Sequence, residues 1–340
     1  MRKLTYLFLV LFVWGCIKSE RPNSSERVYL KSKDLNFTES LGKAYAIDVL
    51  GKYLIIRDDQ AETKLTIFNL ESDFRNPIYT GYTGQGPGEL INPGPTIVES
   101  NKFLLYDASK MKLFSFYMDT LMVPDYKPHE AISIMETGII DVKKIGKDLF
   151  IAVGVFPDNR FALINSQGET IERLGMYPIE LQEGVPEYVR GIACQSMLTT
   201  DPKKNKAAVA MRYGEHIQFH VFDLDKYTAE LINEHHVFLP EYTTKNYNGS
   251  PNFSPTEETR WGYLSISSNS NHVYALYSGK PQIRGTNFYQ GHEVHVFGWD
   301  GELINKIELD KQAFSVTCNE HHLYALYEDE NGYEIAEYEL

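Results

Sequence analysis

One pattern recurs along this chain and narrows its fold more than any other feature. A turn containing Gly, Asn or Lys leads into a strand, a polar loop and a second strand, and an acidic or glycine turn closes the unit. "GKYLIIRDDQAETKLTIFNL", "NKFLLYDASKMKLFSFYMD" and "GKDLFIAVGVFPDNRFALINSQGE" are the first three copies; three more begin at Asn205, Asn271 and His321. Within them apolar residues alternate in short runs rich in Tyr, Phe, Val and Ile, which is strand chemistry, and helical spacing is almost absent. The first strands of the copies start at Tyr53, Phe103, Leu149, Ala207, Val273 and Leu323, about 46 to 66 residues apart. A period of that size with several strands and no helix points to propeller blades. A two-sheet sandwich has no reason to repeat one pattern six times.

Each unit also supplies an inner strand before the pair (44–49, 96–99, 314–317) and an outer strand after it (77–81, 303–309), which makes four strands to a blade. The sixth copy ends at Leu340, one strand short, whereas Arg27 to Lys33, "RVYLKSK", has no partner in the first blade. The expectation is therefore an all-β, six-bladed β-propeller over residues 27–340, its ring closed by an N-terminal strand that joins the last blade and covers an otherwise open edge.

Residues 1–15 read as a signal peptide. Arg2 and Lys3 precede an apolar run from Leu4 to Trp14, shorter than the roughly 20 residues of a spanning helix. Val13-Trp14-Gly15-Cys16 is similar to a bacterial lipobox, although Trp14 is bulkier than the residue usual there; it makes Cys16 the expected lipidation site, and residues 16–26 a polar tether. The remaining cysteines, Cys194 and Cys318, lie in apolar stretches and are either paired or buried free thiols. With 46 acidic residues against 33 basic ones, the chain should repel nucleic acid and anionic head groups.

Long connections, at 81–95, 181–192, 240–262 and 278–292, fall on one face of such a propeller, and binding usually lives in loops carried by a rigid scaffold. The candidate contacts there are Gln85, Glu89, Arg190, Arg212, Arg260 and Trp261, chosen because arginine and tryptophan are frequent interaction anchors. No metal or other cofactor is expected. His216 and His220 lie four strand residues apart, roughly 13 Å, His292 and His295 point to opposite faces, and His235-His236 stand at the start of a long loop. "YEDENGYEIAEY" has the asparagine and glycine of a calcium loop but tyrosine at its first and twelfth positions, so a hairpin turn explains it. "GYTGQGPGEL" (81–90) has Pro87-Gly88 where a phosphate loop needs Lys-Ser/Thr, and no helix follows it. No local signature of nucleophilic catalysis is present in the sequence.

The leader ending at Cys16, the flanking repeats and the G-x-G-P-G-E segment (Gly84, Gly86, Pro87, Gly88, Glu89) resemble the TolB-like six-bladed β-propeller lipoproteins of Bacteroidetes. The resemblance implies a propeller and the cell envelope, and no settled activity. The expected function is a monomeric, lipid-anchored scaffold, at the outer membrane, that binds a protein, peptide or glycan without catalysis. The alternative is a metal-dependent lyase or lactone hydrolase with its site in the central channel, for which the inner strands would have to converge several His, Asp, Glu or Asn side chains.

Overall fold

In the second strand of the first unit, Tyr53–Asp58, three consecutive residues, Leu54, Ile55 and Ile56, are fully buried. A sheet with one wet face would alternate; here both faces are covered by neighbouring sheets. The same holds for Phe103 to Leu105, Ala207 to Met211 and Leu323 to Leu326, so the repeat seen in the sequence is a repeat of sheets packed face to face. The computed structural model describes residues 26–35, 40–60, 62–72, 76–123, 126–201, 203, 205–283 and 285–340. The leader, Cys16 and nearly all of the tether lie outside the described residues. Among the described residues no helix is long and apolar enough to cross a membrane.

Four separate four-stranded antiparallel sheets run in chain order, from Ala44–Leu50 to Ile78–Tyr82, Pro93–Val98 to His129–Ser133, Ile139–Ile145 to Thr170–Met176 and Ser196–Asp201 to Thr228–Phe238. The last two units are fused through one long strand, Leu303–Cys318. Its first part pairs with Gly291–Gly298 as an outer strand, and residues 313–318 pair with His322–Asp329 as an inner one. The innermost strands touch in cyclic order, from Ala44–Leu50 through each successive unit to Leu303–Cys318 and back to Ala44–Leu50. The protein is an all-β propeller.

Its hydrophobic core is divided among the gaps between sheets. Ile55, Leu65 and Ile67 of the first sheet pack on Phe103, Leu105 and Phe116 of the second. The last gap, Tyr324, Leu326 and Ile335 against Ile47, Leu54 and Ile56, joins the end of the chain to its beginning. The N-terminal strand departs from expectation. Glu26–Leu30 lies parallel to 305–309, on the outer edge of the fifth unit, and only Lys33–Asp34 pairs with the last strand, Gly332–Glu339. The long shared strand accounts for this, since its outer part presents a second unpaired edge.

Two long connections are more ordered than their composition suggests. Residues 240–262 contain a hairpin, Tyr242–Tyr247 with Ser250–Pro255, and a short helix, Glu187–Ala193, packs Val189 and Ala193 against Tyr242. The stretch that shares residues with a calcium loop is a tight hairpin. Asp329 and Gly332 face each other across it, and the Asn331 N–H donates to Asp329 Oδ1 at 2.7 Å.

Candidate functional site

The inner strands carry polar residues where a strand buried between sheets would be apolar. Asp48 interrupts "AYAIDVL", Asp141, Lys143 and Lys144 interrupt "IIDVKKI", and Thr199, Ser267 and Thr317 recur in the fourth, fifth and sixth units. Most of these side chains line a cavity of about 610 Å³ at the end of the channel where the inner strands stop, on the face of the short turns. A smaller cavity of about 280 Å³ lies toward the other end; it is lined by Asp141 and shares Asp48, Lys143, Ser267 and Thr317 with the first.

The wall of the channel, taken along both cavities, has two unlike halves. On the side of the first three units it is charged. Asp141, 7% exposed, accepts the Leu198 N–H at 2.9 Å through Oδ2, while Oδ1 stands 3.7 Å from Lys143 Nζ and has no hydrogen-bond partner. Burial pushes the Asp141 carboxyl above the usual range, and the positive charges of Lys143 and Arg57 offset this only in part. Lys143 Nζ donates to the Thr96 carbonyl at 2.6 Å, and Thr96 Oγ1 has no hydrogen-bond partner. Arg57 lies 3.9 Å from Asp48 Oδ2 and donates to the Gly94 carbonyl; its Nε and Asp48 Oδ2 have no hydrogen bond. At the mouth, burial would raise the Glu99 carboxyl, but ion pairs with Lys144 and Lys102 outweigh it and hold the group low.

On the side of the last three units hydroxyls dominate the wall, beside Lys203, Ile266 and Cys318. Thr199 Oγ1 and Ser268 Oγ are 2.7 Å apart, and Ser267 Oγ and Thr317 Oγ1 are 3.5 Å apart. Hydroxyls both donate and accept, so this half can match a ligand group in either sense.

The family model described as TolB-like 6-blade propeller-like matches residues 24–321. The chain belongs to this family. No curated protein matches it. Three solved structures from Bacteroides are similar, each with a TM-score of 0.54. A DUF4221 family member from Bacteroides vulgatus is 14% identical, over 92% of this chain and 96% of that one. A candidate exported protein from Bacteroides fragilis is 10% identical, over 93% and 99%. A protein of unknown function from Bacteroides thetaiotaomicron is 10% identical, over 91% and 72%. At such identities the likeness shows the fold alone.

In this TolB-like propeller the residues expected to bind on the long-loop face are distributed among separate packing arrangements. Arg212 and Trp261 are brought together, the guanidinium 5.5 Å from the indole centroid, and Trp261 Nε1 donates to Gln282 Oε1 at 3.2 Å. Burial lowers the Arg212 pKa. Arg190 lies over the Tyr177 ring at 5.0 Å and 3.7 Å from Asp158. Arg260, exposed, donates to the Gly279 carbonyl at 3.2 Å. Gln85 is exposed on the crossing between the first two sheets, and Glu89 on the same crossing accepts the Gly86 N–H at 2.7 Å.

Cys194 and Cys318 are free and buried, and burial pushes both thiols up to about 12. The histidines hold one surprise. Glu215, His235 and His295 meet between the fourth and fifth sheets, away from the channel, with one ligand-type atom from each within 4.8 Å of the others. Sequence reasoning misses this set because it is assembled from two sheets. The channel groups Asp141, Lys143 and Thr199 were missed as well, although two lysines in an inner strand were a visible signal.

Proposed function

We propose that this protein is an exported six-bladed propeller of the cell envelope that binds a small hydroxyl-rich ligand of the glycan class, without chemistry, in the short-turn mouth of its channel. The observation that carries the reading is the divided wall of the cavity of about 610 Å³. That volume lies within the range of small-molecule sites, but the lining is polar where such sites are mostly apolar. Sugar hydroxyls suit both halves, accepting from Lys143 and Lys144, donating to Asp48 and Glu99, and exchanging hydrogen bonds with Thr199, Ser267 and Thr317. Buried polar groups are normally paired, and Thr96 and Asp48 of this cavity each keep a buried side-chain oxygen with no hydrogen bond.

On the long-loop face Arg212, Trp261 and Arg190 pack against one another or against neighbours, although Arg190 Nε keeps no hydrogen bond. An enzymatic reading is less favoured, since the channel carboxylates Asp48, Glu99 and Asp141 each face a cation. The experiment is calorimetric titration with a panel of neutral and acidic oligosaccharides; saturable binding by at least one supports the reading, and none across the panel sinks it.

The cell-envelope address rests on the leader and Cys16, and on the candidate exported protein among the similar folds. Lipidation is tested by fatty-acid labelling in a bacterial host. Label is expected on the wild type and absent from Cys16→Ser; equal labelling of both would refute the anchor.

A further inference from the structure

We propose that Glu215, His235 and His295 form a site for one divalent transition metal of the zinc class, which staples the fourth sheet to the fifth. Glu215 lies in Glu215–Asp223, His235 in the adjacent strand Thr228–Phe238, and His295 in Gly291–Gly298 of the next sheet. Two imidazoles and one carboxylate are a donor set that suits zinc. The spacing suits it too. Zinc bonds of about 2.0–2.2 Å at a tetrahedral angle separate ligand atoms by roughly 3.4 Å, and His235 Nε2 stands 3.3 Å from Glu215 Oε1. The three ligand atoms already lie within 4.8 Å, so a metal needs only a small inward movement of the third.

The surroundings of His295 are those of a held ligand. The ring is fully buried, stacked on Tyr277 with centroids 4.8 Å apart, and each nitrogen has a partner: Nε2 with Glu293 Oε1 at 2.7 Å, Nδ1 with Tyr263 Oη at 3.0 Å. A metal takes one nitrogen, and the remaining hydrogen bond fixes the ring, as outer-shell partners of metal-binding histidines do. Glu293 is itself anchored by Lys306 at 3.1 Å and Arg27 at 3.5 Å.

The ionisation states are the ones coordination requires. Burial keeps His295 below the usual histidine range, which favours the neutral ring that a metal requires. Burial also works against ionised Glu215, but hydrogen bonds from His235 and Tyr277 outweigh it and keep the carboxylate below its ordinary value. His235, whose side chain is 21% exposed, gives the metal its way in.

Without metal the same groups close as a hydrogen-bond network, and the test separates the two. The whole protein, stripped with a chelator and dialysed, is titrated with zinc by calorimetry and with cobalt by visible absorption, and its melting is followed with and without zinc. Expected are one equivalent per chain, tetrahedral cobalt bands, a rise in Tm, and a loss of affinity of about tenfold or more in both His235→Ala and Glu215→Gln. His235→Ala alters a partly exposed residue, so it avoids the folding risk of changing His295. No saturable uptake, affinity unchanged in either variant, or zinc bound without a rise in Tm would overturn the proposal.

Discussion

The glycine-rich crossing at 81–90 and the polar channel behave in opposite ways. In the crossing several backbone groups and the Glu89 carboxylate find partners within the loop or its neighbour. Gly84 N–H donates to the Leu90 carbonyl at 3.0 Å, Leu90 N–H to the Tyr82 carbonyl at 2.8 Å, and Gly86 N–H to Glu89 Oε2. Lys110 Nζ donates to the carbonyls of Gly86 and Glu89 at 3.0 and 2.7 Å. Fully buried Asp107 accepts the N–H groups of Ile91, Asn92, Ser109 and Lys110. Gly84, at φ +156°, leaves the space that the Glu89 carboxylate fills; a Cβ there would sit 2.1 Å from Oε2. In the channel, Asp141, Thr96, Asp48 and Arg57 each keep an atom with no hydrogen bond. The contrast teaches that a conspicuous motif can be complete in itself, so that a binding surface has to be sought in groups the fold leaves open.

The largest expected effect breaks the first side of this contrast. Asp107→Ala leaves four backbone donors without their acceptor, and the loss of stability should be about 3 to 5 kcal/mol, read as a lower urea midpoint. A loss under about 1 kcal/mol would mean that the crossing is not held from Asp107.

Asp141→Asn should do the reverse, with a smaller effect. Because the folded Asp141 pKa is raised above 3.8, the folded state holds its proton more tightly than the unfolded one. Stability contributed by the protonated form is therefore present below 3.8 and lost as pH rises through the raised folded value. The Asn variant should match the wild type in acid and exceed it near neutrality by up to about 1 kcal/mol. Urea unfolding across pH checks this, and a variant less stable than wild type at neutral pH would contradict it.

Much of the fold was legible because each unit repeats the same local chemistry. Asp58 and Asp107 end the second strands of the first two units and both accept N–H groups of the incoming crossing, so the loop chemistry repeats with the strands. The shared strand Leu303–Cys318 was not legible, since an outer and an inner strand that follow one another without a turn look the same in sequence as two separate strands. That hidden fusion also misplaced Glu26–Leu30, whose alternation suits any open edge. The channel was legible only in part. Asp48 is a visible carboxylate in the apolar strand "AYAIDVL", but Thr199 and Thr317 become meaningful only when the inner strands are arranged around one axis. The Glu215, His235 and His295 set had no linear trace at all.

The central claim, that binding belongs to the channel mouth and not to the long-loop rim, is tested most directly by one set of titrations. An oligosaccharide bound by the wild type is titrated into Lys143→Met and Thr199→Val, and into the rim variants Gln85→Ala and Arg260→Ala, with folding of each checked by circular dichroism. The channel variants should lose about tenfold or more in affinity, roughly 1.4 kcal/mol, while the rim variants stay within about twofold of wild type. Affinity kept by the channel variants and lost by the rim variants would contradict the account.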